Sequence, residues 1–203
     1  MIAMNKHEMR RFLRSQYPGK AARDEQSAHI CRHIMASDVY KRAGVIGGYI
    51  PLKHEADISA VLSDALQQGK TLVLPLCDAA PNMTMRRVNS MADLLSGAYG
   101  IPEPGHDAPV VSAEQIDLLL VPLEGIDRCG FRLGKGGGYY DALLAAHPGL
   151  MTMGCALSWQ QVEAVPVESW DIPLNLCADQ NGINDFSDVY RKGNTYGQQE
   201  QED

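Results

Sequence analysis

The sequence has no apolar run long enough to cross a bilayer, so no membrane-spanning helix and no membrane partner are expected. It has no C-x-x-C pair. Its five cysteines, Cys31, Cys77, Cys129, Cys155 and Cys177, are odd in number and scattered. That pattern excludes a disulfide framework or a cysteine-rich zinc site, and predicts free thiols packed mostly in the core of a cytoplasmic protein. Positive charge is not in excess: the formal net charge is −7 over 203 residues. A broad nucleic-acid-binding surface is therefore excluded, and any anion site must be local. The opening "MIAMNKHEMRRFLRSQ" lacks a long apolar stretch and a small-residue cleavage site, so it is not a secretory signal. Its basic amphipathic character imitates a transit peptide, against which Glu8 argues.

Two nucleotide motifs are also missing. "GKT" at Gly69–Thr71 resembles the end of a P-loop, but Asp64 stands where the earlier glycine belongs. The order there is helix then strand, the reverse of what a P-loop requires. The run from Gly134 to Gly138 fails the dinucleotide pattern G-x-G-x-x-G, because Tyr139 takes the place of the third glycine. No Ser-His-Asp arrangement is argued by spacing. His29 and His33 read as partly exposed helix residues, since a metal site needs more ligands. No internal repeat is present.

What is present is a core: 45% of the residues are hydrophobic, enough for one ordinary globular domain. The segment 5–16 and the segment 20–37 read as helices, the second with Ala28, Cys31, Ile34 and Met35 as its apolar stripe. "GVIGGYI" (44–50), "TLVLPL" (71–76), "QIDLLLVPL" (115–123) and "MTMGCAL" (151–157) read as buried strands, and "MTMRRV" (83–88) as a partly exposed one. Segment 55–70 reads as a helix with Ile58, Val61, Leu62, Ala65 and Leu66 on one face and Gly69 as its stop. A last helix begins inside the glycine run. Strands alternating with helices predict an α/β fold with an open, mostly parallel sheet covered on both sides. The domain is expected over residues 1–186, with a polar, aperiodic and disordered tail at 187–203.

The densest chemistry lies in "FRLGKGGGYYD", Phe131 to Asp141. Four glycines let backbone N–H groups approach an anion with no Cβ in the way. The following helix start adds free donors and partial positive charge, and Arg132 and Lys135 add full charge. Tyr139 and Tyr140 can flank a ring, and Asp141 is placed to hold a magnesium ion bridging phosphates. A strand-to-helix junction of this composition reads as a phosphate cradle rather than a surface turn.

"RLGKGGGYYD" resembles the signature of the 5-formyltetrahydrofolate cyclo-ligase family. Four further segments agree in order and spacing: "KHEMR", "YIPLKHEAD", "YGIPEP" and "PVESWDIPL". The resemblance covers about Lys6 to Asn181. It implies a three-layer α/β/α fold and an ATP- and magnesium-dependent closure of 5-formyltetrahydrofolate to 5,10-methenyltetrahydrofolate, giving ADP and phosphate. It implies small-molecule partners only, with a monomer expected. Carried over residue by residue, Lys6, Arg10 and Arg132, Leu133, Gly134, Lys135, Gly136, Gly137, Gly138, Tyr139 and Tyr140 would contact ATP. Arg132 and Lys135 would stabilise the transferring phosphoryl group. Ile50 and Glu55, with Lys135 to Tyr139, would meet the folate, and Asp141 and Asp171 would hold magnesium. Alone, Lys6 and Arg10 read as a solvated basic face, Glu55 as a first-turn helix acid and Asp171 as a turn residue. Two segments depart from the family's character. Gly125 and Ile126 stand where a bulkier, aromatic-containing stretch is expected, and Asn175 replaces a common aspartate. Two other readings stand beside the enzyme: a non-catalytic binder of reduced folate or nucleotide, and a relative acting on another substrate, such as a sugar-phosphate isomerase or CoA transferase.

Overall fold

The computed structural model describes residues 4–78, 81–97 and 100–187. Tyr99 of the "YGIPEP" segment and the tail from residue 188 onward lie outside them. Helix α1 (Lys6–Ser15) opens with a capping box: the Asn5 side chain accepts from the Glu8 N–H at 3.0 Å, and Glu8 accepts from the Asn5 N–H at 2.9 Å. Helix α2 (Lys20–Ala36) buries Ser27, Ile30, Cys31 and Ile34. The stripe predicted through Ala28 is therefore rotated; Ala28 is exposed because the Ser27 hydroxyl, facing inward, accepts the Asp57 N–H at 2.9 Å. Helix α3 (Asp38–Arg42) leads into strand β1 (Val45–Gly47). β1 stops three residues short of its predicted end, although the Gly48 N–H still donates to the Val73 carbonyl at 2.9 Å.

Helix α4 (Ser59–Gln67) starts four residues after Glu55, not at it. Asp57 ends the preceding loop by accepting both the Ser59 N–H and its hydroxyl. The helix buries Val61, Leu62 and Ala65 as predicted, and Gly69, at φ +71°, stops it. Lys70 then clamps the carbonyls of Tyr40, Lys41 and Ala43 at 3.1, 3.2 and 2.6 Å. "GKT" is thus a helix stop and a carbonyl clamp.

Strands β2 (Thr71–Cys77) and β3 (Met83–Val88) form an antiparallel pair, followed by a short pair, β4 (Leu95–Ser96) with β5 (Pro102–Glu103). Strand β6 (Leu118–Val121) is wholly buried. Strands β7 (Gly125–Asp127) and β8 (Arg132–Leu133) lead to helix α5 (Tyr139–Ala146). Strands β9 (Thr152–Cys155), β10 (Gln161–Val162), β11 (Leu176–Ala178) and β12 (Ile183–Asp185) follow.

The main sheet has seven strands in the order β12-β11-β9-β6-β1-β2-β3. The five inner strands are parallel, and each edge strand is antiparallel to its neighbour. Alternation along a buried strand feeds both faces. Leu118 and Leu120 join the core under α2, α3 and α4, while Leu119 and Val121 join the core under α5. These are the three layers expected. A second sheet, β10-β7-β8, packs with α1 around Leu13, Leu133 and Val165. Its strands, two or three residues long, carry no period and were not among the predicted elements. All five cysteines are free, and Cys31, Cys155 and Cys177 are buried. Among the described residues no helix is long and apolar enough to cross a membrane.

The chain order places a switch point between β1 and β6. From β1 the chain moves to β2 and β3 on one side, then returns to β6 on the other. Crevices outside the carboxyl ends of strands at such a point are where open α/β sheets bind ligands.

Candidate active site

The glycine run occupies this switch point. It joins β8 to α5, and two of its members need glycine for conformation: Gly136 lies at φ +100° and Gly138, the N-cap of α5, at φ +73°. Gly137 is constrained by space instead. A Cβ there would come within 2.8 Å of its own neighbour's ring, that of Tyr139. With Arg132, Asp141, Glu55 and Leu123 the run lines a small cavity of about 110 Å³. Leu133 contributes no side chain to it, being fully buried in the small core; its carbonyl is also taken, by the Glu124 N–H at 2.8 Å.

Of the predicted cations, Arg132 and Lys135 line the cavities, Arg10 reaches the rim of the glycine run, and Lys6 stands apart; each is held. Arg10 reaches across from α1 and donates to the Gly134 carbonyl at 2.6 Å. Arg132, with its side chain only 3% exposed, pairs with Asp141 at 2.8 Å and lies 6.0 Å from the centre of the Tyr140 ring. Lys135 pairs with Glu55 at 2.7 Å. Lys6 pairs with Asp171 at 2.6 Å and Glu168 at 2.8 Å. Burial works against the Lys6 charge, but its hydrogen bonds to the two carboxylates outweigh it and raise its pKa above the ordinary value.

A larger, mostly apolar cavity of about 430 Å³ adjoins the first. Tyr49, Ile50 and Leu52, beyond the end of β1, form one wall, and Pro75 and Cys77 of β2 form another. Pro75 is tolerated because β1 ends opposite Val73, so no partner on that side asks for its missing N–H. Glu55 is buried in this wall. One of its oxygens takes Lys135 and the other accepts the Leu52 N–H at 2.8 Å. Tyr139 lines both cavities, its hydroxyl donating to the Asp78 carbonyl at 3.2 Å. The Tyr140 hydroxyl is buried with no hydrogen-bond partner among the described residues, and burial raises its pKa. Sequence reasoning missed Tyr49, Pro75, Cys77, Pro122 and the buried acid Glu103, all of which line the larger cavity. Two carried a signal: Tyr49 as the first residue of "YIPLKHEAD" and Glu103 as the acid of "YGIPEP". Burial pushes the Cys77 thiol up to about 11, so it remains protonated at neutral pH.

The two departures from the family's character fall outside both cavities. Gly125 is small because α1 packs on it: a Cβ there would meet Leu13 at 2.7 Å. Asn175 ties β9 to the loop before β11, accepting from the Thr152 N–H at 2.9 Å and its hydroxyl at 2.8 Å.

Among the described residues no three acidic, histidine or cysteine side chains cluster as a metal cage. A magnesium ion carried on phosphates needs only one or two carboxylates. Asp141 fits that demand, since it lines the smaller cavity and is 34% exposed. Asp171 stands outside both cavities against Lys6, within a turn where its carboxylate also accepts the Glu168 N–H at 2.8 Å.

Fold and site together define a class: a three-layer α/β protein with a glycine-walled, cation-lined cavity beside a larger apolar one at the carboxyl ends of parallel strands. Residues 3–178 match the 5-formyltetrahydrofolate cyclo-ligase family. The chain belongs to that family. It is 32% identical over 137 residues to the 5-formyltetrahydrofolate cyclo-ligase of Escherichia coli K12, covering 65% of this chain and 75% of that one. It is 30% identical over 155 residues to the Haemophilus influenzae cyclo-ligase, covering 74% and 82%. The solved 5,10-methenyltetrahydrofolate synthetase of Aquifex aeolicus superposes with a TM-score of 0.80 at 30% identity, over 90% of this chain and 93% of that chain.

Proposed function

We propose that this enzyme closes 5-formyltetrahydrofolate to 5,10-methenyltetrahydrofolate, consuming ATP with magnesium and releasing ADP and phosphate. The observation that carries the reading is the shared wall of the two cavities. Glu55, Pro122, Lys135, Gly137, Tyr139 and Tyr140 line both the glycine-walled cavity that holds Arg132 and the larger apolar one, as needed to set a phosphoryl group against a ring substrate. The formyl oxygen attacks the γ-phosphate, and the β–γ bridge breaks toward ADP. N10 then attacks the activated carbon, its proton is lost to phosphate or solvent, and phosphate leaves with the former formyl oxygen. No covalent protein nucleophile is required; positioning and charge stabilisation carry the reaction.

Arg132 and Lys135 offset charge on the moving phosphoryl group, while Lys6 and Arg10, one turn apart on α1, bind the remaining phosphates. Glu55 accepts the paired N–H donors of the pterin edge, and Tyr139 and Ile50 cover the ring. Asp141 would hold a magnesium ion, with Asp171 as its second carboxylate once Lys6 moves to phosphate. Bound there, the ion would neutralise charge on the β- and γ-phosphates. The test is to mix the purified protein with 5-formyltetrahydrofolate, ATP and magnesium. Absorbance of the methenyl product is followed, with ADP counted alongside. One ADP per ring closed is expected. No closure when both ligands bind would leave a non-catalytic binder, and closure undiminished by a chelator would remove magnesium from the reading.

A further inference from the structure

The Lys135–Glu55 pair stands in the partition between the cavities, and both residues line both sides. The pair is asymmetric. The Glu55 side chain is 5% exposed, whereas Lys135 is 38% exposed, on a loop flanked by Gly134, Gly136 and Gly137. Both Glu55 oxygens are engaged, one by the Lys135 Nζ and the other by the Leu52 N–H. Each proposed ligand therefore wants a group that is already committed. The nucleotide wants Lys135; the reduced folate wants Glu55.

Withdrawing Lys135 alone would strand a buried carboxylate without its cation, which proteins resist strongly. A phosphate drawn to Nζ while it stays on Glu55 would sit beside that carboxylate and be repelled. The conflict disappears if N–H donors of the folate take over the carboxylate as the lysine leaves. Resting on the proposed function, we infer that Lys135 is exchanged between Glu55 and the nucleotide phosphates, with the reduced folate as the group that releases it. Each ligand then raises the other's affinity, by the same factor in both directions. Glu55 is in this respect a restraint on nucleotide binding as well as a folate contact.

The exchange is tested by calorimetric titration of the full chain with a β,γ-imido ATP analogue in excess magnesium, with and without saturating 5-formyltetrahydrofolate. The reverse titration accompanies it. We expect the analogue to bind about tenfold tighter when the folate is present, within the usual range of coupling between sites. In Glu55→Gln the lysine is no longer held by a charge. Analogue affinity without folate should then rise or stay level, and the coupling factor should fall to near one. In Lys135→Met the factor should also fall to near one, now because nucleotide affinity is weak throughout; this variant carries the test if Glu55→Gln does not fold. A wild-type factor of one or below overturns the exchange, as does a factor that survives either substitution, or a Glu55→Gln protein that binds the analogue more weakly. If wild type binds both ligands independently, only the exchange falls. If it binds neither, the proposed function falls with it.

Discussion

Arg132 is a buried structural side chain that, in the proposed reaction, would also offset charge on the phosphoryl group. Its guanidinium is almost wholly enclosed between Asp141 and the Tyr140 ring, so truncation to alanine would mix a packing loss with the chemical one. Arg132→Gln keeps most of the volume and removes the charge. Turnover is expected to fall about a hundredfold, the usual effect of removing one preorganised stabilising group, while folate affinity changes little. Steady-state kinetics beside folate titration checks this, and equal losses in both would reduce Arg132 to a structural role. The glycines separate in a way their letters do not reveal. Gly138→Ala places a Cβ in the left-handed region and should cost about 1–2 kcal/mol. Gly134→Ala meets nothing within 4 Å and should leave the melting temperature unchanged. Comparing the two melts tests whether conformation or mere composition made the run glycine-rich. The sequence identified the run and its cations, because charge and missing Cβ atoms are properties of single residues. It could not distinguish the two glycines with positive φ from the one crowded by Tyr139, because that depends on the path of the backbone.

Helix α1 is the element on which the cradle depends, although it supplies none of the glycines. Arg10 ties it to Gly134, and Arg14 holds the buried acid Glu124 with both Nε and Nη2, at 2.9 and 2.7 Å. Leu13 seats it against Gly125 of β7. Gly125→Val should therefore push α1 outward: its branched side chain meets Leu13, and the Gln160 carbonyl lies only 3.4 Å from its Cβ. The expected outcome is several-fold weaker binding of the ATP analogue, faster proteolysis within residues 6–15 and unchanged folate binding. Weakening of both ligands alike would place the damage elsewhere. Long elements such as α2 and α4 were legible because their period repeats several times, and β2 because its apolar run is nearly continuous. The sheet of β7, β8 and β10 was not, since two or three residues cannot show alternation. By pattern alone Glu55 reads as the first-turn acid of α4, because the helical period fits from residue 58 onward; the resemblance placed it at the ligand instead, and it lines both cavities.

Across the whole molecule, the sheet that creates the switch point also buries several ionisable groups that the reaction does not use. Burial pushes the Cys31 thiol up to about 11 and the Cys177 thiol up to about 12, from an ordinary value near 9. Cys155 is raised well above that ordinary value by the same cause. Cys31 and Cys155 pack under α2 and α4, and Cys177 lies in the core on the opposite face. In the folded chain these thiols stay neutral well past the pH at which an unfolded chain would ionise them. Below about pH 9 both states hold the proton, and the contribution to stability is complete. As pH climbs from 9 toward 11–12 the unfolded state sheds protons first, and stability drains away by up to about 1.4 kcal/mol per pH unit for each fully buried thiol. The melting temperature should accordingly be level between pH 7 and 8.5 and fall steeply above pH 9. Cys177→Ala should start lower, because it opens a gap in the core, yet decline with a shallower slope, because one ionisable group has gone. Scanning calorimetry from pH 7 to pH 10.5 on both proteins reads the slopes directly. Parallel declines would show that Cys177 takes no part in the alkaline loss.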